Sequence, residues 1–172
     1  MLNGLLWGFT GFLGMVLQTA LGARLAWGRL LPDVIAWVIV FVVVRKNVAK
    51  AILLAWFLGA CMGPQALAPW GFLEWSLVLT CLCIGVLATQ LSGEGPLFFA
   101  MLVFCFVILE NLFMAFLHPT FAFAWATWPE HFFSNMIIRA CSSAACAGLI
   151  WPFFLFLESM TGRERNEGLT WR

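Results

Sequence analysis

Long apolar runs alternate with short breaks rich in charge, proline or glycine along the whole chain. A helix needs about 20 apolar residues to cross the hydrocarbon of a bilayer, and charged residues, proline and glycine mark where such runs stop. Six runs fit this description, over residues 4–21, 30–44, 50–67, 72–91, 97–117 and 135–157. The pattern predicts an all-α integral membrane protein, with one six-helix transmembrane domain over residues 1–158 and a polar tail over residues 159–172.

Two stretches depart from this simple alternation. The second run is short, because only the residues between Asp33 and Arg45 are uncharged, so residues before Asp33 must contribute to a full crossing. Residues 120–134 connect the fifth and sixth runs and are apolar and aromatic, with Trp125 and Trp128 among them. Since Trp prefers the membrane interface, we expect a short interfacial helix or a re-entrant loop here.

The composition supports a membrane location. Apolar residues make up 63% of the chain and charged residues 10%, whereas soluble domains carry about 25% charged residues. The formal net charge of +1, without an extended basic block, gives no reason to expect nucleic acid as a partner. The cysteines all lie in apolar runs, and we expect small buried hydrophobes rather than a disulfide framework. They are Cys61, Cys81, Cys83, Cys105, Cys141 and Cys146.

Basic residues next to the predicted spans favour one orientation. With six spans both termini share a side, and the positive-inside rule places the side richer in Lys and Arg in the cytoplasm. Arg24 and Arg29 fall on the far side, and Arg139, near the start of the sixth span, is left out of the count. The side of the termini carries Arg45, Lys46, Lys50, Arg163, Arg165 and Arg172. We therefore predict a multi-pass protein with cytoplasmic termini, and a retained first span, because no Lys or Arg precedes it as in a signal peptide.

Small residues recur along two predicted spans. In the first span they fall on one arc of the helix, at Gly4, Gly8, Gly11 and Gly14. In the sixth span a stripe is formed by Ala140, Ala144 and Gly148, with an adjacent line at Ser143 and Ala147. Such spacing lets helix backbones approach closely in a membrane. It fits packing within the protein, and it also fits docking of a partner's transmembrane helix.

Polar residues inside the apolar runs are candidate functional groups. Glu110 and Asn111 lie in the middle of the fifth span, where an ionised side chain costs at least about 2.5 kcal/mol and must face the interior, a cavity or a partner. Glu110 has a functional or partner-binding role, or it is a protonated or hydrogen-bonded carboxyl that only fixes helix packing. Arg139 in the sixth span is a candidate counter-charge for it. Asp33, after Pro32, is placed to cap the second helix.

We find no catalytic or metal-binding pattern. His118 and His131 are far apart in the chain and form no HExxH motif with Glu110 or Glu130. Ser142-Ser143 lies among small residues without a nucleophile elbow. The sequence therefore predicts a protein that is not an enzyme and needs no metal or cofactor.

The order of features between the second and fourth runs is specific. Pro32-Asp33 opens an apolar helix that ends in the basic turn Arg45-Lys46. The next helix carries Gly59 near its end, and Pro69-Trp70-Gly71 precedes the fourth run.

This order resembles the MreD family, the small multispan subunits of the bacterial rod-shape elongation machinery. Members of that family have a Pro-Asp at the start of the second span, then a basic turn, a Gly-x-x-x-Asp ending the third span, and a Pro-Leu-Gly before the fourth. Two positions depart from the family pattern: Gly63 stands where the family has its acid, and Trp70 replaces the usual Leu.

The resemblance implies a fold similar to the substrate-binding subunits of energy-coupling-factor vitamin transporters, and a place in the bacterial inner membrane. It implies a scaffold without enzymatic activity that binds the periplasm-facing coiled-coil protein MreC. With MreC it would support the elongation glycosyltransferase and transpeptidase in peptidoglycan synthesis and cell-shape control. The candidate partner-binding residues are Pro32, Asp33, Gly59, Gly71 and Glu110, with Gly4, Gly8 and Gly11 as a docking face.

The same similarity of fold leaves a second function open, that of a small-molecule-binding subunit of a membrane transporter. Residues 120–134 would then form a lid over a pocket lined by Trp and Glu110. Such a subunit would present small residues to its coupling protein on the cytoplasmic side, which the stripe at Ala140, Ala144 and Gly148 fits only loosely.

Overall fold

The computed structural model describes residues 2–24, 31–63, 71–91, 93–117 and 132–160. Their regular structure is entirely helical. The helices are α1 (Leu2–Arg24), α2 (Val34–Arg45), α3 (Val48–Met62), α4 (Phe72–Gln90), α5 (Pro96–Leu117) and α6 (Phe132–Met160). Over the described residues the prediction of an all-helical fold with six helices is confirmed, and the crossing of the membrane by all six stays a prediction.

The ends of the helices differ from the predicted spans in several places. α2 begins only at Val34, directly after its capping residue. α3 ends at Met62, ahead of the predicted end of the third span. α6 begins at Phe132 and continues to Met160, so it includes the last residues of the predicted interfacial segment and the first of the predicted tail. Pro69, Trp70, the rest of the interfacial segment and the tail from residue 161 lie outside the described residues.

Three helices, α4, α5 and α6, are long and apolar enough to cross a membrane, and we treat the chain as a membrane protein. α2 and α3 are also apolar but only 12 and 15 residues long. At 1.5 Å per residue α2 measures about 18 Å, against about 30 Å of bilayer hydrocarbon. α2 is therefore too short to cross the hydrocarbon by itself, and any end group of α2 within the hydrocarbon must find a partner within the protein.

α2 is the central helix of the bundle. It contacts each of the other five helices, and every residue from Ile35 to Val43 is buried. Its sequence is apolar on all sides, which is the pattern of a helix enclosed by protein. The other helices therefore surround α2, and their outward faces carry exposed apolar side chains such as Phe9, Leu53 and Leu149.

An aromatic cluster joins four helices near the C-terminal end of α2. The ring of Phe41 lies 5.0 Å from that of Trp7 on α1 and 5.0 Å from that of Phe154 on α6. Phe99 of α5 and Trp151 of α6 complete the cluster, with their ring centroids 5.0 Å apart. Such ring pairs add about 0.5–1.5 kcal/mol beyond the area they bury.

Glycines allow the closest helix contacts. A methyl group at Gly59 of α3 would lie 2.8 Å from the backbone Cα of Glu74 on α4, and one at Gly14 would lie 2.5 Å from the side chain of Val34. Gly11 similarly meets Leu58 on α3. Gly8 has no neighbour within 4 Å. The glycine arc of α1 thus serves packing within the protein at Gly11 and Gly14, and leaves Gly8 open.

The structure distinguishes the two lines of small residues on α6, and it corrects the expectation about the cysteines. On α6 the buried line is Ala140, Ser143 and Ala147, whereas Ala144 is half-buried and a methyl group at Gly148 would meet nothing within 4 Å. The adjacent line at Ser143 and Ala147 therefore packs within the protein, with Ser143 against α2, whereas Ala144 and Gly148 are more open. All six cysteines are free, but only Cys81 is buried. Cys83 and Cys141 are exposed, so the prediction of buried hydrophobes was wrong for these two.

The backbone contact at Gly59 makes a prediction about stability. Gly59→Ala should lower the free energy of unfolding by about 1–3 kcal/mol, because α3 and α4 must move apart. Gly8→Ala is the matched control, since it adds the same methyl group to open space and should be neutral within about 0.5 kcal/mol. Thermal unfolding in mild detergent compares the two. Equal midpoints for both variants would contradict the close approach of α3 to α4.

Candidate functional site

The first backbone N–H groups of α2 have no partner inside the helix, as in any α-helix. Three of them are bound by side chains. The N–H of Asp33 donates to Ser143 Oγ at 2.8 Å, that of Val34 to Gln18 Oε1 at 3.2 Å, and that of Ala36 to Asp33 Oδ1 at 3.3 Å. The partners come from α1, α6 and the capping residue itself. We call Gln18, Asp33, Arg139 and Ser143 the cap cluster.

Ser143 holds two parts of α2 at once. Its hydroxyl accepts from the Asp33 N–H, and its backbone carbonyl accepts from the indole Nε1 of Trp37 at 2.9 Å. Ser143 lies between Ala140 and Ala147 on the buried line of α6. Because these neighbours are small, the backbone of α6 comes close enough to α2 for both hydrogen bonds.

The Asp33 carboxylate forms an ion pair with Arg139. Arg139 Nη2 donates directly to Asp33 Oδ2, while Asp33 Oδ1 caps the helix. The Asp33 side chain is 3% exposed and that of Arg139 is 36% exposed. Asp33 is therefore both the N-cap that the sequence predicts and the buried ion-pair partner of Arg139.

Glu110 lies close enough to Asp33 and Arg139 to interact electrostatically with both. Its side chain is buried, and Oε2 has no hydrogen-bond partner among the described residues. The Glu110 backbone carbonyl accepts from Ser76 Oγ of α4 at 3.4 Å. The expected counter-charge, Arg139, is in direct contact with Asp33, because Asp33 faces α6 at the end where α6 begins.

A second set of ion pairs ties the other end of α2 to α6. Arg45 donates from Nε and Nη2 to Glu158 Oε2, at 3.1 and 3.0 Å. Lys46 Nζ lies 3.1 Å from Glu158 Oε1, and its side chain is only 4% exposed. α6 is thus joined to α2 by charged groups at both ends of the central helix.

The predicted partner-binding residues do not form one patch. Asp33 and Glu110 come together beside Arg139, with Pro32 half-buried next to them in the chain. Gly59 lies in the contact between α3 and α4, and Gly71, with φ of 85°, is the N-cap of α4. In the docking face, Gly11 packs against Leu58 within the protein, whereas Gly8 is open. Gly4 lies in α1, and its surroundings are outside the described part of the structure.

Sequence reasoning missed the roles of Gln18, Trp37 and Ser143. Gln18 is a polar residue inside an apolar run, which is a signal in its own right. Ser143 was considered as a small packing residue and, with Ser142, as a nucleophile, but not as a hydrogen-bond partner of the second helix. The sequence gives only a weak indication for Trp37. A buried indole N–H needs a hydrogen-bond acceptor, but the sequence does not show which residue provides it.

The described part of the chain contains no group of three or more His, Cys, Asp or Glu side chains that could hold a metal ion. Both histidines and Glu130 lie outside it. The arrangement of the cap cluster serves helix positioning, and Arg139 is the charged group that is also partly exposed.

Comparison with known proteins gives no relative: no family model, no curated protein and no solved structure matches the chain.

The ion pair of the cap cluster can be tested by a double-mutant cycle. Asp33→Asn keeps the capping oxygen, and Arg139→Gln keeps much of the side chain, yet each leaves the other charge unpaired. We expect each to lower the free energy of unfolding in mild detergent by about 1–3 kcal/mol, less than for a fully buried pair because Arg139 is partly exposed. The double variant should lose less free energy of unfolding than the two single variants lose together.

Glu110→Gln is the control for this cycle. Since Glu110 Oε2 has no hydrogen-bond partner in the part of the chain that the structure describes, the amide should cost less than either change at the ion pair. Strictly additive losses for Asp33 and Arg139 would show that their contact does not stabilise the fold. A loss at Glu110 as large as that at Asp33 would make Glu110 the main partner of Arg139.

Proposed function

We propose that this chain is a non-catalytic membrane scaffold of the bacterial cell-shape machinery, a divergent relative of MreD. One observation supports this most directly. Asp33, of the Pro-Asp motif that carries the resemblance, caps the central helix and joins it to α6. Gly59 and Gly71, the other motif positions described, lie where α3 contacts α4 and where α4 begins. The motif residues thus hold the helices of the bundle in place.

In this proposal all six helices cross or enter the inner membrane, and both termini are cytoplasmic. The paired ends of α2 and α6 support the assignment of sides. Arg45 and Lys46 lie beside Glu158, so the basic turn is at the same end of the bundle as the C-terminal end of α6. The positive-inside rule places this end in the cytoplasm, and the cap cluster then faces the periplasmic half.

The partner is a single-span coiled-coil protein of the MreC kind, whose transmembrane helix docks against α1. Gly8 is the opening for it, since a methyl group there would meet nothing within 4 Å. Phe9, Phe12 and Leu13 beside it are exposed, and a small residue between large apolar ones lets a second helix approach closely. Through this partner the scaffold would support the elongation glycosyltransferase and transpeptidase.

Affinity purification of the tagged chain in mild detergent tests the proposal. We expect a single-span coiled-coil protein to co-purify together with wall-synthesis enzymes, and Gly8→Leu to reduce its recovery at least about fivefold by blocking the close approach. Gly148→Leu is the matched control, because Gly148 on α6 is equally open. Recovery of ATP-binding subunits in place of the coiled-coil protein would contradict the scaffold proposal and indicate a subunit of a transporter.

Topology is tested separately by reporter fusions at Gly93 and after Arg172. Both positions should report a cytoplasmic location, because six crossings place the loop between α4 and α5 on the side of the termini. A periplasmic signal from either fusion would contradict the six-crossing arrangement, whatever the partner proves to be.

A further inference from the structure

α1 and α6 each contact α2, and among the described residues their ring contact lies at one end of the bundle. Among the described residues no Cα atom of α1 lies within 8 Å of one of α6. Their side chains meet in the aromatic cluster, where the rings of Trp7 and Phe154 are 5.9 Å apart. We call the boundary between α1 and α6 the seam. Among the described residues, aromatic rings close the seam near the start of α1, and no ring contact joins the two helices near the start of α6.

At that second end the structure has a cavity of about 480 Å³. This volume lies within the range of about 300–1,000 Å³ that is usual for small-molecule sites. Five helices contribute to its walls. The described lining residues are Met15, Gln18, Thr19, Leu31, Ile35, Met62, Asn111, Phe132, Asn135, Met136 and Arg139.

The polar part of this wall offers hydrogen-bond donors. Gln18 Oε1 accepts from the Val34 N–H, so its amide NH₂ is the group that remains for a ligand. Asn111 donates one amide hydrogen to the Val107 carbonyl at 2.7 Å and keeps the other. Asn135 contributes a further amide to the wall.

Arg139 supplies the only charged side chain among the described lining residues. Its contact with Asp33 uses Nη2, and a guanidinium has five N–H donors. Asp33 and Glu110, the carboxyl groups whose charges act on Arg139, are not among the described residues of the wall. The edge of the guanidinium that Asp33 leaves uncovered is therefore able to bind an anion, in the paired geometry that arginine forms with phosphate.

The remaining wall is apolar and includes Met15, Leu31, Ile35 and Met136. The helices on both sides of the seam also carry exposed apolar side chains, among them Leu17 on α1 and Ile137 on α6. A ligand with an anionic end and an apolar end matches both kinds of surface.

We propose that this cavity binds the phosphate-bearing headgroup of a membrane lipid, with the phosphate at Arg139 and the amides of Gln18 and Asn135, and the acyl chains along the seam between α1 and α6. The inference stands on the cavity and its donors, and it holds whether or not the scaffold proposal is right.

Binding can be measured with three probes that separate the headgroup from the chains. The purified full chain in a neutral detergent is mixed with dioctanoyl phosphatidylglycerol, with dioctanoylglycerol, which has no phosphate, or with glycerol phosphate, which has no chains. Native mass spectrometry gives stoichiometry and affinity, and the midpoint of thermal unfolding gives an independent readout, since a ligand of the native state stabilises it by mass action. We expect one phosphatidylglycerol per chain and a raised midpoint.

Three variants locate the site. Arg139→Gln should weaken phosphatidylglycerol binding about tenfold or more, because it removes a charged hydrogen-bond donor. Asn135→Leu leaves the ion pair with Asp33 intact and should weaken binding severalfold, which keeps the test valid if the Arg139 variant does not fold. Lys50→Gln removes the same charge from the other end of the bundle and should leave binding unchanged.

The other outcomes would overturn the proposal. Equal binding of dioctanoylglycerol would show that apolar contact alone is responsible. Equal binding of glycerol phosphate would indicate a site for a water-soluble anion. Absence of binding by every probe, or an equal loss with Lys50→Gln, would remove the cavity as a lipid site.

Discussion

The structure depends on how the backbone N–H groups at the start of α2 are hydrogen-bonded. α2 is short, apolar on all sides and enclosed by the other helices. Its first N–H groups have no partner within the helix, and a backbone group left unpaired away from water costs several kcal/mol. Gln18, Asp33 and Ser143 bind three of these N–H groups. Each comes from a different helix or from the turn before α2, so the hydrogen bonds that satisfy the backbone also join the bundle together.

Other features follow from this requirement. The ion pair to Arg139 neutralises the capping carboxylate, which is buried where an isolated charge would be unfavourable. The small residues of α6 let its backbone come near enough for Ser143 to bind α2, and Glu158 holds the far end of the same two helices. The seam between α1 and α6 opens beside Arg139 because the two helices are joined through α2 there and not to each other. A single arginine therefore serves both the packing of the central helix and the cavity next to it.

The helices and the capping role of Asp33 could be predicted from the sequence, because apolar run length and a Pro-Asp before such a run are local signals. The partner of Arg139 could not, since Asp33 and Glu110 are both acidic residues in or near apolar runs and only the relative rotation of α2, α5 and α6 decides between them. The sequence likewise could not decide which of the two lines of small residues on α6 is buried. Two adjacent lines of small residues differ by only a fraction of a turn, and the choice rests on which neighbours the helix meets.

Residue-resolved hydrogen exchange in lipid nanodiscs tests this account most directly. The amides of Asp33, Val34 and Ala36 should exchange as slowly as those in the middle of α2, although none of them has a partner within the helix ladder. Ser143→Ala should speed exchange at Asp33 far more than at Ala36, whose partner is the Asp33 carboxylate. Fast exchange of all three amides in the unmodified protein would contradict the claim that side chains from neighbouring helices secure the start of the central helix.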